Sequence, residues 1–90
     1  MTSAALDAIE RRCEAATAGP WVAWVEGRDH TSGSDFVQTA EQDIEMIGAT
    51  PADHDFIAHA REDVPRLVAE VRRLRALLDG IEGEGGDATT

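Results

Sequence analysis

The stretch VPRLVAEVRRLRALLDGI, residues 64–81, decides the fold of the C-terminal part of the chain. Its apolar residues are spaced alternately three and four apart, which is the heptad pattern of a coiled-coil helix. The a and d positions of these heptads are Val64, Leu67, Val71, Leu74, Leu78 and Ile81. The pattern predicts a helix that associates with copies of itself.

Residues beside the heptad core refine this prediction. Glu70 falls at a g position and Arg75 at the next e position, where they would form an ion pair between two parallel helices. Val68 at e and Leu77 at g widen the apolar stripe beyond a two-helix interface. Two alternatives therefore stay open: the helix covers its own sheet, or it joins a larger bundle. Gly80 is a further position at which the helix could end.

A helix start precedes the heptads. Thr50 and Asp53 have the spacing of a capping box, and Pro51 suits the first helical position. Proline cannot donate to the carbonyl four residues back, so Pro65 predicts a kink or a short break near residues 62–64, with Asp63 capping a new helix. The residues expected to face inward before that point are Phe56, Ile57 and Ala60.

The N-terminal half predicts one helix and a small sheet. Residues 3–17 form an amphipathic helix, capped by Thr2 or Ser3. Its apolar face consists of Leu6, Ile9, Cys13 and Ala16. Short β-branched and aromatic runs at residues 21–25, 35–39 and 44–47 predict three strands in an antiparallel meander.

These elements predict an α+β fold. It has an N-terminal helix, a small three-stranded antiparallel sheet and a kinked C-terminal helical arm with a coiled-coil pattern. Residues 1–82 form one domain that includes the oligomerisation helix 64–81. Residues 83–90 lack apolar side chains apart from one alanine and predict a disordered acidic tail.

Charge and composition exclude several classes of function. The formal net charge is −10, with 18 acids against 8 bases, so binding to duplex nucleic acid is not expected. Residues 1–60 carry eleven acids and three arginines, a balance of −8, whereas residues 61–82 carry five of each. No segment predicts a signal peptide or a membrane span. We expect a cytoplasmic protein of the host cell.

Two polar clusters suggest chemistry at first sight. His54 and His59 lie among acids, but histidines five residues apart cannot share one ion on a helix, so we expect a solvated face and no metal. Asp29, His30 and Ser32 lie in a predicted flexible loop, which cannot preorganise a catalytic triad. Cys13 is expected in the core. The sequence predicts no enzyme and no cofactor.

Tryptophans and arginines are the candidate contact residues. Trp21 and Trp24 have odd spacing on a strand, which places one in the core and leaves the other for a ligand or partner. Arg66 and Arg73 belong to a basic cluster that predicts a solvated face with Glu–Arg pairs within the helix. In an oligomer the same arginines would line one surface and could hold an anion.

Three stretches carry a family resemblance: AATAGPW at residues 15–21, DFIAHAR at 55–61 and DVPRL at 63–67. Their order resembles small accessory proteins of actinobacterial phages and prophages, and is similar to the Ead-type proteins of lambdoid phages. Ala18 stands where those proteins have the first proline of the turn. The resemblance covers about a third of the chain and implies a non-essential, oligomeric accessory protein without catalytic residues.

These observations predict a non-enzymatic, homo-oligomeric binding or adaptor protein of phage or prophage origin. The alternative is an inhibitor of host antiviral defence. In one form it sequesters a small nucleotide signal between subunits, in a pocket of tryptophan and arginine. In another form its acidic surface blocks a basic host protein. The expected partners are therefore the chain itself and, in the alternative, a host protein or a small nucleotide.

Overall fold

One small sheet and two helices make up the chain. A computed structural model describes the backbone of residues 1–88 and the side chains of residues 1–81. The elements are α1 (Ser3–Ala15), β1 (Val22–Trp24), β2 (Phe36–Gln38), β3 (Asp43–Ile44) and α2 (Pro51–Ala88). The predicted α+β class is confirmed. The predicted tail, residues 83–90, lies beyond the last described side chain, and its disorder stays a prediction.

Helix α1 begins at the predicted cap. The Thr2 hydroxyl accepts a hydrogen bond from the Ala5 backbone N–H at 3.0 Å. The helix ends at Ala15, because the backbone of Ala16 is extended. Leu6 is fully buried and fixes the face of α1 that points to the core.

The three strands pair in the predicted meander, in the order β1-β2-β3 and antiparallel throughout. Ala23, Val37 and Ile44 are aligned across the sheet, and Val37 is completely buried. The opposite face of the sheet carries Trp24, paired with Phe36. Side chains alternate between the two faces of a strand, so this outer face is the one turned away from the core.

Helix α2 begins with the predicted capping box. The Thr50 hydroxyl accepts from the Asp53 N–H at 3.1 Å, and the Asp53 carboxylate accepts from the Thr50 N–H at 2.9 Å. The bond from the Thr50 backbone N–H is the main cause that lowers the pKa of the Asp53 carboxyl, followed by the Thr50 side chain. The start of α2 is therefore fixed by residues that the sequence identifies.

Helix α2 continues through Pro65 and Gly80. Of the two predicted alternatives near residues 62–64, the short break with Asp63 as a new cap is therefore wrong, and the kink stays a prediction. Gly80 does not end the helix. Proline in a helix interior removes one backbone hydrogen bond. The packing of half-buried Val64 and buried Val68 on either side of Pro65 holds both halves against α1 and offsets that loss.

The inward face of α2 differs from the predicted one. Ile57 and Ala60 are half-buried, but Phe56 is 75% exposed. His54, expected on a solvated face, is 1% exposed, and Ala58 is also buried. The first half of α2 packs against β1 and β2, and this contact selects the face with His54 and Ala58 instead of the face with Phe56.

The loop between β1 and β2 is ordered by its own carboxylates. Asp29 accepts from the Val25 N–H at 2.8 Å, and Asp35 accepts from the Glu26 N–H at 2.7 Å. Arg28 then joins the loop to α2 through two hydrogen bonds of 2.9 Å to Asp55. The loop that the sequence predicts to be flexible is therefore hydrogen-bonded both within itself and to α2.

The buried apolar core of the described residues is small: Leu6, Val25, Val37, Ala58 and Val68. Chains of this size bury only about 60% of the surface that unfolding exposes, so further burial by association would stabilise the fold. None of the helices described here has a stretch long and apolar enough to cross a membrane.

Candidate functional site

Helix α2 has two apolar faces, and only one of them is covered. On the covered face Val64 and Val71 are half-buried and Val68 is 6% exposed, where they meet Leu6 of α1 around an apolar cavity of about 180 Å³. The other face carries what we call the apolar row, in which every side chain is 51–75% exposed. Its members are Phe56, Leu67, Leu74, Leu77, Leu78 and Ile81.

The predicted interface residues are thus divided between the two faces. Val64 and Val71 pack within the chain, against α1. Leu67, Leu74, Leu78 and Ile81 remain exposed. From residue 76 to residue 81 every side chain of α2 is exposed, so this part of the helix extends beyond α1 and the sheet.

The two charged residues of the predicted interface have partners within the chain. Glu70 accepts hydrogen bonds of 3.0 and 2.5 Å from the Arg73 guanidinium, which lowers the pKa of the Glu70 carboxyl. Arg75 donates to the Met1 carbonyl of the N-terminus. A Glu70–Arg75 pair between copies would replace these bonds, and it stays a prediction.

An ion-pair clamp sets the position of α1 on α2. Arg72 donates to Glu10 at 2.9 Å and to Asp7 at 2.8 Å, so one guanidinium bridges two turns of α1. Both carboxylates raise the pKa of Arg72, Asp7 first. All three side chains are partly exposed and screened by water, so the clamp orients α1 more than it stabilises the fold.

A corner between α1 and β1 joins two of the stretches that carry the family resemblance. The Thr17 carbonyl accepts from Trp21 Nε1 at 3.0 Å and from Arg61 Nε at 2.9 Å. A Cβ on Gly19 would lie 3.2 Å from Arg61 Cγ, so glycine allows this close approach. Sequence reasoning did not single out Arg61, because only the fold brings it to the turn.

Beside this corner an apolar groove of about 270 Å³ separates the two helices. We call it the α1–α2 groove. Its apolar lining includes Cys13, Ala16, Trp21, Ile57, Ala60 and Val64. Arg12 and Arg61 also line it, and neither forms an ion pair with a carboxylate in the described part of the chain.

The four predicted contact residues lie in different places. Trp21 lines the α1–α2 groove, whereas Trp24 donates to Gln38 Oε1 at 3.0 Å on the outer face of the sheet. Both are half-buried, so the prediction that one is a core residue is wrong. Arg66 pairs with Glu62 at 3.3 Å, and Arg73 with Glu70. These are the pairs within the helix that the sequence predicts.

The loop between β1 and β2 contains a close contact between Ser32 and His30. Ser32 Oγ lies 2.5 Å from His30 Nδ1, which also accepts from the Ser32 N–H at 3.1 Å. The His30 ring is wedged between Trp24 and Phe36, at centroid distances of 6.3 and 5.3 Å. Asp29 instead accepts from Val25 and Arg28. The contact therefore closes the loop over the outer face of the sheet.

The two helical histidines lie on different sides of α2. His54 Nδ1 donates to the Thr50 carbonyl and His59 Nδ1 to the Asp55 carbonyl, each at 2.8 Å. His54 is buried and His59 is exposed, so the two rings do not face a common ion. Cys13 is half-buried and lines the groove, so the prediction that it is a core residue is wrong.

The apolar row and the α1–α2 groove each expose several neighbouring apolar side chains to solvent. Their interpretation rests on the geometry and charge of the chain itself. Compared with protein-family models, curated proteins and solved structures, the chain matches none of them.

Proposed function

We propose that this chain is a non-enzymatic, self-associating binding protein whose apolar row is covered by a second copy of the same row. The observation that carries the proposal is that α2 keeps an exposed apolar face beside the face that already packs on α1. A role as an adaptor of phage or prophage origin is the setting that the family resemblance suggests.

The direction of the exposed side chains supports a second helix as the occupant. With about 100° of rotation per residue, five members of the row fall within roughly 60° around the helix axis. These five are Phe56, Leu67, Leu74, Leu78 and Ile81. A narrow apolar stripe along a helix is the surface that another helix covers.

The energy of burying the apolar row supports a dimer. Full burial of a leucine, isoleucine or phenylalanine is worth about 1.5–3 kcal/mol, and half to three quarters of each side chain in the row remains to be buried. Ten such side chains in a dimer contribute roughly 10–20 kcal/mol, against about 4–15 kcal/mol for association. The difference between the midpoints of these two ranges is a net binding free energy of about 6 kcal/mol, which corresponds to a dissociation constant of tens of micromolar.

Charge also favours a second copy over other occupants. Residues 1–60 carry a balance of −8 and would repel each other, whereas residues 61–82 are neutral, with five acids and five arginines. Most of the apolar row, from Leu67 to Ile81, therefore lies in the region that costs least in charge repulsion.

Sedimentation equilibrium of the full chain tests the proposal. Across concentrations from well below to well above the expected dissociation constant, the mean mass should rise from 9.7 kDa toward a multiple of it. A mass that stays at the monomer value throughout this range would refute self-association.

A further inference from the structure

Charged residues alternate in sign along one flank of the apolar row, and we call them the charged flank. Its members, in chain order, are Asp63, Arg66, Glu70 and Arg73, all of them exposed. With about 100° of rotation per residue, both acids lie within roughly 45° of Leu74, and both arginines lie farther out on the same side. Val68, which packs on α1, lies on the other side of the row. The charged flank is therefore free to meet a second copy.

The order of these charges distinguishes a parallel from an antiparallel pair of helices. In a parallel pair each residue of the row lies at the height of its own copy, so the two copies of Asp63 would face each other, as would the two copies of Glu70. Like charges in these positions repel. The flank with the arginines would also meet the partner's valine side, which α1 covers. The parallel direction therefore opposes like charges and leaves the arginines without acids.

An antiparallel pair brings the two charged flanks together in reverse order. Asp63 of one copy then lies beside Arg73 of the other, and Arg66 lies beside Glu70. Both pairs are symmetric about residue 68, so one register satisfies them at the same time. Opposite charges that match in a single register fix the direction and alignment of an interface.

The same register aligns the apolar row with itself. A centre near residue 68 places Phe56 of one copy beside Ile81 of the other, so the two ends of the row cover each other. Leu78 comes beside Ala60, whose small side chain leaves room for it. Leu74 faces a hole of four residues on the second copy, which is the packing of a coiled coil. The hole is formed by Ala60, Asp63, Val64 and Leu67.

The charged flank can form these pairs at little cost. Asp63 has no ion-pair partner among the described residues of its own chain. Arg66 pairs with Glu62 and Arg73 with Glu70, but these four side chains are 50–76% exposed, and exposed ion pairs hold weakly. A guanidinium has five N–H donors, so Arg73 can bind Asp63 of a second copy and still keep Glu70.

We infer that two copies pair through antiparallel α2 helices centred near residue 68, with Asp63 and Arg66 of each copy bound to Arg73 and Glu70 of the other. The inference rests on the proposed self-association and specifies its direction, its register and the charged residues that set them. The antiparallel direction excludes the predicted Glu70–Arg75 pair between copies, because that pair requires parallel helices.

Distances between spin labels test the direction. In a Cys13→Ala chain, Ala52→Cys and His59→Cys each place one label at an exposed position of α2. At 1.5 Å per residue, an antiparallel pair separates the two copies of residue 52 by about 48 Å along the helix axis, and those of residue 59 by about 27 Å. A parallel pair holds both at about 10–15 Å, the distance across two adjacent helices. Ala69→Cys, close to the centre, is the matched control and gives a short distance in either direction.

The change Asp63→Arg tests the register independently. It places an arginine beside Arg73 of the other copy, twice in each dimer, so the dissociation constant in sedimentation equilibrium should rise at least about tenfold. Glu41→Arg changes the net charge equally at an exposed position between β2 and β3 and should not raise the constant. In a parallel dimer Asp63→Arg would only exchange one like-charged pair for another. Circular dichroism of each variant verifies the helical content.

Long distances at residues 52 and 59, together with weaker association of Asp63→Arg, support the inference. Short distances at both positions, or an unchanged constant in Asp63→Arg, refute it while self-association stands. A parent chain that remains monomeric refutes both.

Discussion

The change Leu74→Asp separates the energy of self-association from the stability of one copy. Leu74 is 51% exposed at a d position, in the middle of the C-terminal part of the apolar row. In a single copy the aspartate would point into water. The free energy of unfolding should therefore fall by only about half a kcal/mol, because aspartate has a lower helix propensity than leucine. In a dimer each aspartate would lie against the helix of the second copy.

The loss of association follows from the exposed fraction. About half of a full leucine burial, roughly 0.8–1.5 kcal/mol, is lost in each copy, so the dimer loses about 1.5–3 kcal/mol before any cost of burying the carboxylates. This loss alone raises the dissociation constant by roughly 10- to 150-fold.

Sedimentation equilibrium measures the constant, and urea denaturation of dilute protein measures the stability of the monomer. Ala76→Asp is the matched control, because it adds the same charge to the same helix at an exposed position about 180° from Leu74 and Leu78. The reasoning fails if Leu74→Asp leaves the constant unchanged, or if Ala76→Asp weakens the dimer as much.

Three further predictions concern the fold. Val68→Ala should lower the free energy of unfolding of the monomer, measured by urea denaturation, by about 2 kcal/mol, because two methyl groups are lost and a cavity remains. Leu67→Ala, at the next position, should lower it much less. Equal losses would contradict the assignment of the covered and exposed faces. Gly19→Ala should destabilise the monomer by about 1 kcal/mol in a thermal melt, because its Cβ meets Arg61 Cγ at 3.2 Å; an unchanged melting temperature would show that the Arg61 side chain moves aside. Folding lowers the pKa of the Asp53 carboxyl, so the ionised carboxylate stabilises the fold above its unfolded pKa of 3.8, and this effect is lost as pH falls through the folded pKa. The difference in free energy of unfolding between the parent chain and Asp53→Ala should therefore shrink below about pH 4. A difference that is independent of pH would refute this.

Features that depend on neighbouring residues were predictable from the sequence. The capping box at Thr50 and Asp53, the Thr2 cap and the three-stranded meander each follow from local hydrogen-bonding chemistry or side-chain alternation. The spacing of the apolar residues likewise located the helix that carries Leu74. These signals are local, so the tertiary structure did not override them.

Features that depend on distant residues were not predictable. The heptads show which side of α2 is apolar, but α1 and the sheet decide which part of that side they cover, and this leaves Phe56 exposed and His54 buried. The helix passes Pro65 because packing on α1 supports both sides. Arg61 became part of a site only when Thr17, 44 residues earlier, came within hydrogen-bond distance.

The continuity of α2 also has a consequence for valency. The helix runs without a break from the residues that pack on the sheet to the residues of the proposed interface. No hinge therefore lies between the sheet of each copy and the proposed dimer interface. Two copies of the outer sheet face, with Trp24 and Phe36, would be held at one fixed spacing. A partner with two sites at that spacing would bind with avidity, while a partner with one site would not.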